Sequence, residues 1–359
     1  MSALPILDLS ATADTNRRPE LLAQLRASLF DIGFLYISNH GVPEPVISHL
    51  TAFLPRLFDL SEASKAALSK LNSPHFLGYS GFAEETTRGE RDLREQFDFA
   101  TELPLVWTGG DVGAAKGGGE AYSQLFWRLR GPNQWPEESE LPGFRAALTD
   151  YHDALAALSY CFVHLVEEAF SIPVGTFDNF FRPAPQHRIK LVKYPPITPS
   201  ITSSTSLGVG PHADTSGWLT FLLQPSPHNS LEVLSPQTGE WIPAPPVPGT
   251  FVVNFGHAFE AATAGAVRAT VHRVRAPEQP AEPRYSVPFF MGLPLGARVS
   301  NVREWIPRHV LEMRKDREEP EEDPRWEVLG EAQLRKWIRS HVDVAKKWYG
   351  SDAVAYYSQ

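Results

Sequence analysis

The chain has 359 residues, of which 42% are hydrophobic and 21% are charged, and its formal net charge is -9. This is the composition of a globular protein with at least one large core, so a mainly disordered chain is excluded. The negative charge offers no basic field to a phosphate backbone, which argues against a nucleic-acid partner.

Strand and helix signals alternate at the start of the chain. "PILDLS" is typical of a short strand, and "NRRPELLAQLRASLFDIGF" of an amphipathic helix, because its leucines recur at helical spacing. "FLYISNHGV" indicates a second strand, and "EPVISHLTAFLPRLFDLSEASKAALSKL" indicates one or two further helices. We therefore expect residues 1–131 to form a mixed α/β region with helices on its outside.

A glycine-rich segment, "GGDVGAAKGGGEAYSQ", lies between Trp107 and Leu125. It lacks the Gly-Lys-Ser/Thr ending of a phosphate-binding loop, and no apolar strand leads into it. The sequence therefore predicts a mobile surface loop.

The longest helical signal, "PGFRAALTDYHDALAALSYCFVHLVEEAF", dominates residues 132–184 and includes Cys161, the single cysteine of the chain. We expect Cys161 to be buried in the core. A chain with one cysteine has no internal partner for a disulfide, which fits a reducing compartment. No signal-peptide pattern and no apolar run of membrane-spanning length are found, so we expect a cytoplasmic protein without a membrane partner.

Residues 185–296 have a different sequence pattern from the helical segments before them: short apolar runs alternate with proline, glycine, asparagine and serine. Such even spacing of strands and turns is typical of a sandwich or jelly roll. Proline accounts for 32 of the 359 residues, well above the average of about 5%. We expect a mainly β protein with helical additions, in one compact catalytic unit. Residues 297–359 are predicted to be a helical tail, with a helix through "EAQLRKWIRSHVDVAKKWYG".

The stretch "GPHADTSGWLTFLLQ" contains His212 and Asp214, which would project from one face if they lie in a strand. A second His-x-Asp pair, His341 and Asp343, lies in a run that predicts a helix, where such positions diverge, so we reject it as a site. His272, in "ATVHRV", supplies a third ligand from a separate strand candidate. Two histidines and one carboxylate on one face of a metal are the ligands of non-haem ferrous oxygenases.

The next strand candidate contains "RYS", which places Arg284 and Ser286 on one face. A guanidinium fork and a hydroxyl in this arrangement can bind a carboxylate. The sequence therefore predicts a carboxylate site beside the metal site.

This set of motifs resembles the isopenicillin N synthase-like, 2-oxoglutarate- and Fe(II)-dependent dioxygenases. The resemblance rests on H-x-D, His-Arg-Val and R-x-S in this order, with "YPP" upstream and "DIGFLYISNHGV" near the N-terminus, and it spans residues 4 to about 295. It implies a double-stranded β-helix, or jelly roll, that holds iron behind an N-terminal α/β region. It also implies Fe(II), 2-oxoglutarate and O2 as cofactor and cosubstrates.

The resemblance also implies roles for individual residues. His212, Asp214 and His272 match the iron ligands of the family. Arg284 and Ser286 match the residues that bind the far carboxylate of 2-oxoglutarate.

Further positions follow from the same comparison. Tyr194, in "KLVKYPP", matches a tyrosine that assists in binding 2-oxoglutarate, and Lys190 and Phe290 match positions that face the reaction chamber. Aromatic walls suit such a chamber, and we therefore include Phe97 and Tyr79 as substrate-facing candidates.

Two positions depart from the family pattern. His257 stands in "NFGH" where relatives usually have aspartate, and Val192 stands where an asparagine is often found. Since the three ligands already complete a metal-binding face, we expect His257 to be a hydrogen-bonded structural residue and not a fourth ligand.

The predicted activity is oxidation of a small-molecule metabolite, as in secondary metabolism, by hydroxylation, desaturation or cyclisation, with release of succinate and CO2. Two alternatives remain open: an iron oxidase of the same family that does not use 2-oxoglutarate, and a zinc-binding jelly-roll hydrolase or binding protein. The sequence does not predict the oligomeric state or the identity of the substrate.

Overall fold

The computed structural model describes residues 3–87, 89–107, 124–181, 185–196, 207–215, 217–277, 282–313 and 327–358. The strands in these ranges form two large sheets that enclose a cavity. The strands are β1 (Ile6–Asp8), β2 (Phe34–Ser38), β3 (Gly78–Ser80), β4 (Thr86–Thr87), β5 (Glu90–Arg91), β6 (Glu95–Ala100), β7 (Arg188–Tyr194), β8 (Leu207–His212), β9 (Leu219–Leu223), β10 (Leu231–Leu234), β11 (Trp241–Pro243), β12 (Thr250–Phe255), β13 (His272–Arg275) and β14 (Arg284–Met291).

The larger sheet has the strand order β1-β2-β12-β9-β14-β7-β6-β3, and the smaller one has the order β11-β10-β13-β8. β1 and β2 pair in parallel, whereas the neighbouring strands in the rest of both sheets pair antiparallel. β4 and β5 form a separate short hairpin. Two facing sheets with helices added outside them are the architecture expected of a mainly β protein with helical additions, so the predicted fold class is confirmed.

Helices lie on the outside of the larger sheet and at the end of the chain. They are α1 (Arg18–Asp31), α2 (Glu44–Phe58), α3 (Glu62–Ala67), α4 (Phe144–Ala169), α5 (His257–Ala262), α6 (Val299–Arg303), α7 (Arg308–Leu311), α8 (Leu329–Ser340), α9 (Val342–Tyr349) and α10 (Ser351–Ser358).

The alternation of side chains along β14 separates the main core from the cavity. Phe289 and Met291 point outward into the main core, to which residues of α1, α2 and α4 also belong. Arg284, Ser286 and Phe290 line the cavity on the other face. Because successive residues of a strand point to opposite faces, one strand serves both the core and the site.

The C-terminal helices form a second core with the segment around Phe76 and Phe126. The predicted single helix in this region is wrong in detail, because the chain breaks at His341 into α8 and α9, and α10 follows. His341 has a non-helical φ of -136°, and its Nε2 lies 3.0 Å from Lys70 Nζ, so a buried polar contact fixes the break. α8 thereby presents Lys336 and Trp337 to the cavity.

The prediction that Cys161 is buried is wrong. The apolar run around it belongs to two faces of α4, so Phe162 and Val163 are buried while Cys161 is exposed. The predicted glycine-rich loop falls on residues 108–123, which lie outside the described residues, as do the acidic residues 314–326. Of the helices in the described ranges, none combines the length and the apolar character needed to cross a bilayer.

Candidate active site

Three of the predicted site residues meet where β8 and β13 pair. His212 ends β8 and lies opposite His272 at the start of β13, and the two imidazole ring centroids are 4.3 Å apart. Asp214 lies two residues beyond the end of β8, and its Oδ1 is 3.8 Å from His272 Nε2. One ligand atom from each residue lies within 4.8 Å of the others.

Hydrogen bonds fix the orientation of both imidazoles. His212 Nδ1 donates to the carbonyl of Gly210 at 2.8 Å, and His272 Nδ1 donates to the carbonyl of Thr270 at 3.1 Å. A proton on each Nδ1 leaves the Nε2 lone pair free to bind a metal. Burial and the neighbouring His272 lower the pKa of His212 to about 3, so its ring is neutral, as a metal ligand must be.

The Asp214 carboxylate uses its two oxygens differently. Oδ2 accepts hydrogen bonds from Thr220 Oγ1 and from Asn254 Nδ2, both at 2.7 Å. Burial raises the pKa of Asp214, but the two histidines and these donors outweigh burial and hold the pKa below its usual value. The carboxylate is therefore ionised, and Oδ1 remains to bind a cation.

Two imidazole nitrogens and one ionised carboxylate suit a divalent transition metal such as Fe(II). The two Nδ1 atoms and the Asp214 Oδ2 face away from the metal position and form hydrogen bonds with the protein. Such hydrogen bonds orient the ligands in metalloproteins. Among the described residues, one group of side chains is close enough to bind a metal ion, and it consists of His212, Asp214 and His272, which we call the metal-type cluster. The second His-x-Asp pair, His341 and Asp343, belongs to no such group.

A buried guanidinium faces the same cavity from β14. Arg284 is 1% exposed, and its Nη2 donates to Gln224 Oε1 at 3.2 Å. Its Nε and Nη1 have no hydrogen-bond acceptor among the residues described. Ser286 lies two residues further on the same face and is also buried. Such unsatisfied buried donors fit a carboxylate ligand.

Tyr194 lies beside this guanidinium, because β7 pairs with β14 in a register that places Tyr194 opposite Arg284. The Arg284 Cζ lies 4.8 Å from the centre of the tyrosine ring. Gly208 makes room for that ring, since an added Cβ there would lie 2.6 Å from the ring. Tyr194 thus forms one wall of the predicted carboxylate site.

The other predicted chamber residues divide into two groups. Lys190 and Phe290 line the cavity, whereas Phe97 and Tyr79 are not among its lining residues. Phe97 packs in the main core, 4.9 Å from Tyr79 between ring centroids. The pleat of β6 explains this difference, because Phe97 points outward and the adjacent Asp98 points into the cavity. We therefore assign no substrate contact to Phe97 or Tyr79.

Sequence reasoning missed a buried network of charges at the cavity wall. Lys190 Nζ lies 3.2 Å from Glu85 Oε1 and 3.6 Å from Asp98 Oδ1. Lys70 pairs with Asp98 at 2.6 Å, and Arg94 pairs with Glu85 at 2.8 Å. The polar positions that alternate with phenylalanine in "EQFDFA" were the available signal, since they mark a polar inner face of β6.

His257 has a structural environment. Its Nδ1 lies 2.7 Å from Glu260 Oε2 within α5, and its backbone N–H donates to the carbonyl of Asp214 at 2.8 Å. The residue therefore anchors the backbone of one predicted ligand, while its imidazole points to a different partner.

The models of two protein families match parts of the chain. Residues 4–138 match "non-haem dioxygenase in morphine synthesis N-terminal", and residues 168–293 match "2OG-Fe(II) oxygenase superfamily".

Curated relatives cover nearly the whole chain. A "2-oxoglutarate-dependent dioxygenase frbJ" from Dothideomycetidae sp. (strain 11243) is 38% identical over 357 residues, which is 96% of this chain and 92% of the relative. A "2-oxoglutarate-dependent dioxygenase" from Gibberella zeae is 30% identical over 97% of this chain and 91% of its own length. A Neurospora crassa protein, solved in complex with alpha-KG and thymine, has a TM-score of 0.71 at 21% identity, covering 92% of this chain and 96% of that one.

Proposed function

Because this chain belongs to the 2OG-Fe(II) oxygenase superfamily and is a non-haem Fe(II)- and 2-oxoglutarate-dependent dioxygenase, we propose residue roles for that activity. His212, Asp214 and His272 bind the ferrous ion. Arg284 and Ser286 bind the carboxylate of 2-oxoglutarate that is distal to the metal.

The observation that supports this proposal most strongly is that one cavity contains both a group of metal-ligand side chains and a buried arginine without a carboxylate partner in the part of the chain that is described. Three ligand atoms cluster within 4.8 Å of one another, and a fully buried arginine nearby has two N–H groups without an acceptor among the described residues. A zinc hydrolase needs no such arginine, because its nucleophile is a metal-bound water. A dicarboxylate cosubstrate satisfies both sites at once.

The protein side chains bind, orient and exclude water. Arg284 neutralises the distal carboxylate, Gln224 orients the guanidinium, and the Ser286 hydroxyl supplies a further donor. When bound, ferrous iron with 2-oxoglutarate and O2 supplies the oxidising chemistry, which releases succinate and CO2. Apolar side chains such as Phe290 and Val192 also line the cavity and exclude water from their part of its wall.

The substrate is proposed to be a small-molecule metabolite that is hydroxylated, desaturated or cyclised. The cavity between the two sheets supports a small substrate, because concave sites of this kind bury most of the surface of a small ligand. We also propose that the enzyme acts in the cytosol, which the single cysteine supports.

Anaerobic titration with Fe(II) and 2-oxoglutarate tests the assignment. We expect a visible metal-to-ligand band in the wild type, and succinate after O2 is admitted. In Arg284→Met the half-saturating 2-oxoglutarate concentration should rise about 100-fold, because a buried charge-assisted pair is lost. The iron affinity should stay the same.

Arg308→Met is the matched control, since it removes the same charge from a side chain that is 91% exposed on α7. It should bind 2-oxoglutarate as the wild type does. Wild-type affinity for 2-oxoglutarate in Arg284→Met would contradict the assigned role, and O2 consumption without succinate would indicate the oxidase that does not use 2-oxoglutarate.

A further inference from the structure

The cavity holds more positive than negative side chains in the part lined by β6, β7 and α8. Its acidic side chains there, Glu85 and Asp98, are each within 4 Å of basic groups. Those basic groups are Lys70, Arg94 and Lys190. The two acids are therefore already neutralised by the protein.

Arg188 and Lys336 also line this part of the cavity, and neither forms an ion pair with a carboxylate in the portion of the chain that is described. Arg188 is 4% exposed, and it donates to the carbonyls of His75 at 3.0 Å and Phe76 at 3.4 Å. Its Nε has no acceptor there. A buried cation without a counter-charge is costly, so the site is incomplete without an anion.

Both cations lie against one indole. The Lys336 Nζ is 3.6 Å and the Arg188 Cζ is 4.5 Å from the centre of the Trp337 ring. The Trp337 Nε1 is a buried donor that lacks an acceptor among the described residues, and Trp337 also lines the cavity. The Arg188 Nε and the Trp337 Nε1 are thus two buried donors without an acceptor among the described residues, and the Lys336 ammonium lies against the same indole.

The pKa values agree with this geometry. Burial lowers the pKa of Lys336 to about 7, since the nearby Lys190 adds to the effect and Glu85 and Asp98 only partly offset it. Burial likewise lowers the pKa of Arg188 to about 10. A bound anion would restore the ordinary protonation of both groups.

This region is separate from the carboxylate site at Arg284. In the register of β7 and β14, Arg284 lies opposite Tyr194 and Phe290 lies opposite Arg188. At about 3.3 Å per residue, the two ends of this pairing are roughly 20 Å apart. One molecule of 2-oxoglutarate cannot span that distance while it also binds the metal.

We propose that the substrate carries a carboxylate and that Lys336 and Arg188 bind it, beside the Trp337 N–H, at the end of the cavity opposite Arg284. This inference rests on the proposed function, because it takes the cavity to be the substrate chamber. It predicts that α8 selects acids over neutral analogues of the same shape.

The test uses anaerobic, Fe(II)-loaded enzyme saturated with 2-oxoglutarate, so that no turnover occurs. A panel of aliphatic, aromatic and N-acyl-amino monocarboxylic acids, each with its methyl ester, is titrated while the melting temperature is recorded. We expect acids to raise the melting temperature of the wild type at lower concentrations than their esters. In Lys336→Met the half-saturating acid concentration should rise about tenfold or more, while ester binding stays the same.

Lys346→Met is the matched control, because Lys346 is an exposed lysine on the neighbouring helix α9, and it should keep the preference for acids. Lys336→Arg should keep it as well, because the positive charge remains. Equal binding of acids and esters, no binding of any acid, or an unchanged preference in Lys336→Met would each overturn the proposal.

The same samples separate the two hypotheses. The visible band of the iron complex with 2-oxoglutarate reports on the proposed function, and the preference for acids reports on Lys336. If the visible band of the iron complex with 2-oxoglutarate is absent, but metal-free enzyme still binds acids more tightly than esters, the proposed function alone is contradicted. A normal band without the acid preference would contradict the anion site alone.

Discussion

At the scale of single residues, the Asp214 side chain shows how the fold prepares an atom for a metal. One oxygen accepts two hydrogen bonds of 2.7 Å from donors on β9 and β12, and the other faces the histidines. The donors hold the carboxylate in one rotamer and keep it ionised in a buried place. Thr220 and Asn254 therefore act as positioning residues for the proposed iron ligand.

Thr220→Val tests this positioning, because it removes a hydroxyl donor and preserves the branched shape. We expect the dissociation constant for Fe(II) to rise about tenfold, the lower end of what loss of an outer hydrogen bond to a ligand costs. Anaerobic titration monitored by the quenching of tryptophan fluorescence measures it.

The control is Thr250→Val, which removes a hydroxyl that donates to the carbonyl of Val247, at the other end of β12 from Asn254. It should bind Fe(II) like the wild type. Equal iron affinity in Thr220→Val and Thr250→Val would show that the hydrogen bond does not position Asp214.

At the scale of elements, the junction of β12 and α5 packs directly against the backbone that carries Asp214. A Cβ added at Gly256 would lie 2.1 Å from the carbonyl oxygen of Gly217 and 3.2 Å from that of Asp214. Both neighbours are backbone atoms, so they cannot rotate away. The glycine of "NFGH" is therefore required by close approach and not by its φ, which is -96°.

Gly256→Ala should consequently displace the backbone at Asp214. We expect a loss of about 1–3 kcal/mol in the free energy of unfolding, as for overpacking elsewhere, together with weaker Fe(II) binding. Chemical denaturation and metal titration measure the two effects.

Gly296→Ala is the comparison variant, since an added Cβ there has its nearest neighbour at 3.5 Å, an ordinary contact distance, on the indole ring of Trp127. It should leave both quantities unchanged. If Gly256→Ala unfolds and binds iron as the wild type does, the close approach has no role in holding the ligand.

The elements themselves were largely predictable, because their signals are local. The strands "RIKLVKY", "TFVVNF" and "RYSVPFFM" and the long helix α4 were expected from alternation and from helical spacing. Errors arose where tertiary contacts decide the outcome. The alternation in β6 places Phe97 and Asp98 on opposite faces, but the expectation that Phe97 faces the substrate chose the wrong one of these two faces.

At the scale of the whole molecule, the metal-type cluster was foreseen because its motifs are distinctive, but the surrounding charges were not. Lys70, Asp98 and Lys336 come from distant parts of the chain and meet only after the C-terminal helices pack on the segment around Phe76. The buried break at His341 depends on the same packing. No local periodicity encodes such contacts.

The free energy of unfolding should rise when a metal ion occupies the proposed ligand site and 2-oxoglutarate occupies the proposed site at Arg284. Ligands that bind only the folded chain raise the free energy of unfolding by about 2.7 kcal/mol at 100 times their dissociation constant. For 359 residues this corresponds to about 4 °C in melting temperature. We expect Mn(II), a metal that does not turn over, to give one such increment and 2-oxoglutarate to add a second only when Mn(II) is present.

Variants assign each increment to its site, with differential scanning calorimetry as the measurement. His272→Ala should lose both increments, because the metal joins the two sites, whereas Arg284→Met should keep the metal increment and lose most of the second. Since coupling between two ligands is reciprocal, 2-oxoglutarate should tighten Mn(II) binding by the same factor as Mn(II) tightens 2-oxoglutarate binding. An equal effect of 2-oxoglutarate with and without Mn(II) would mean that its two ends do not engage the metal and Arg284 together.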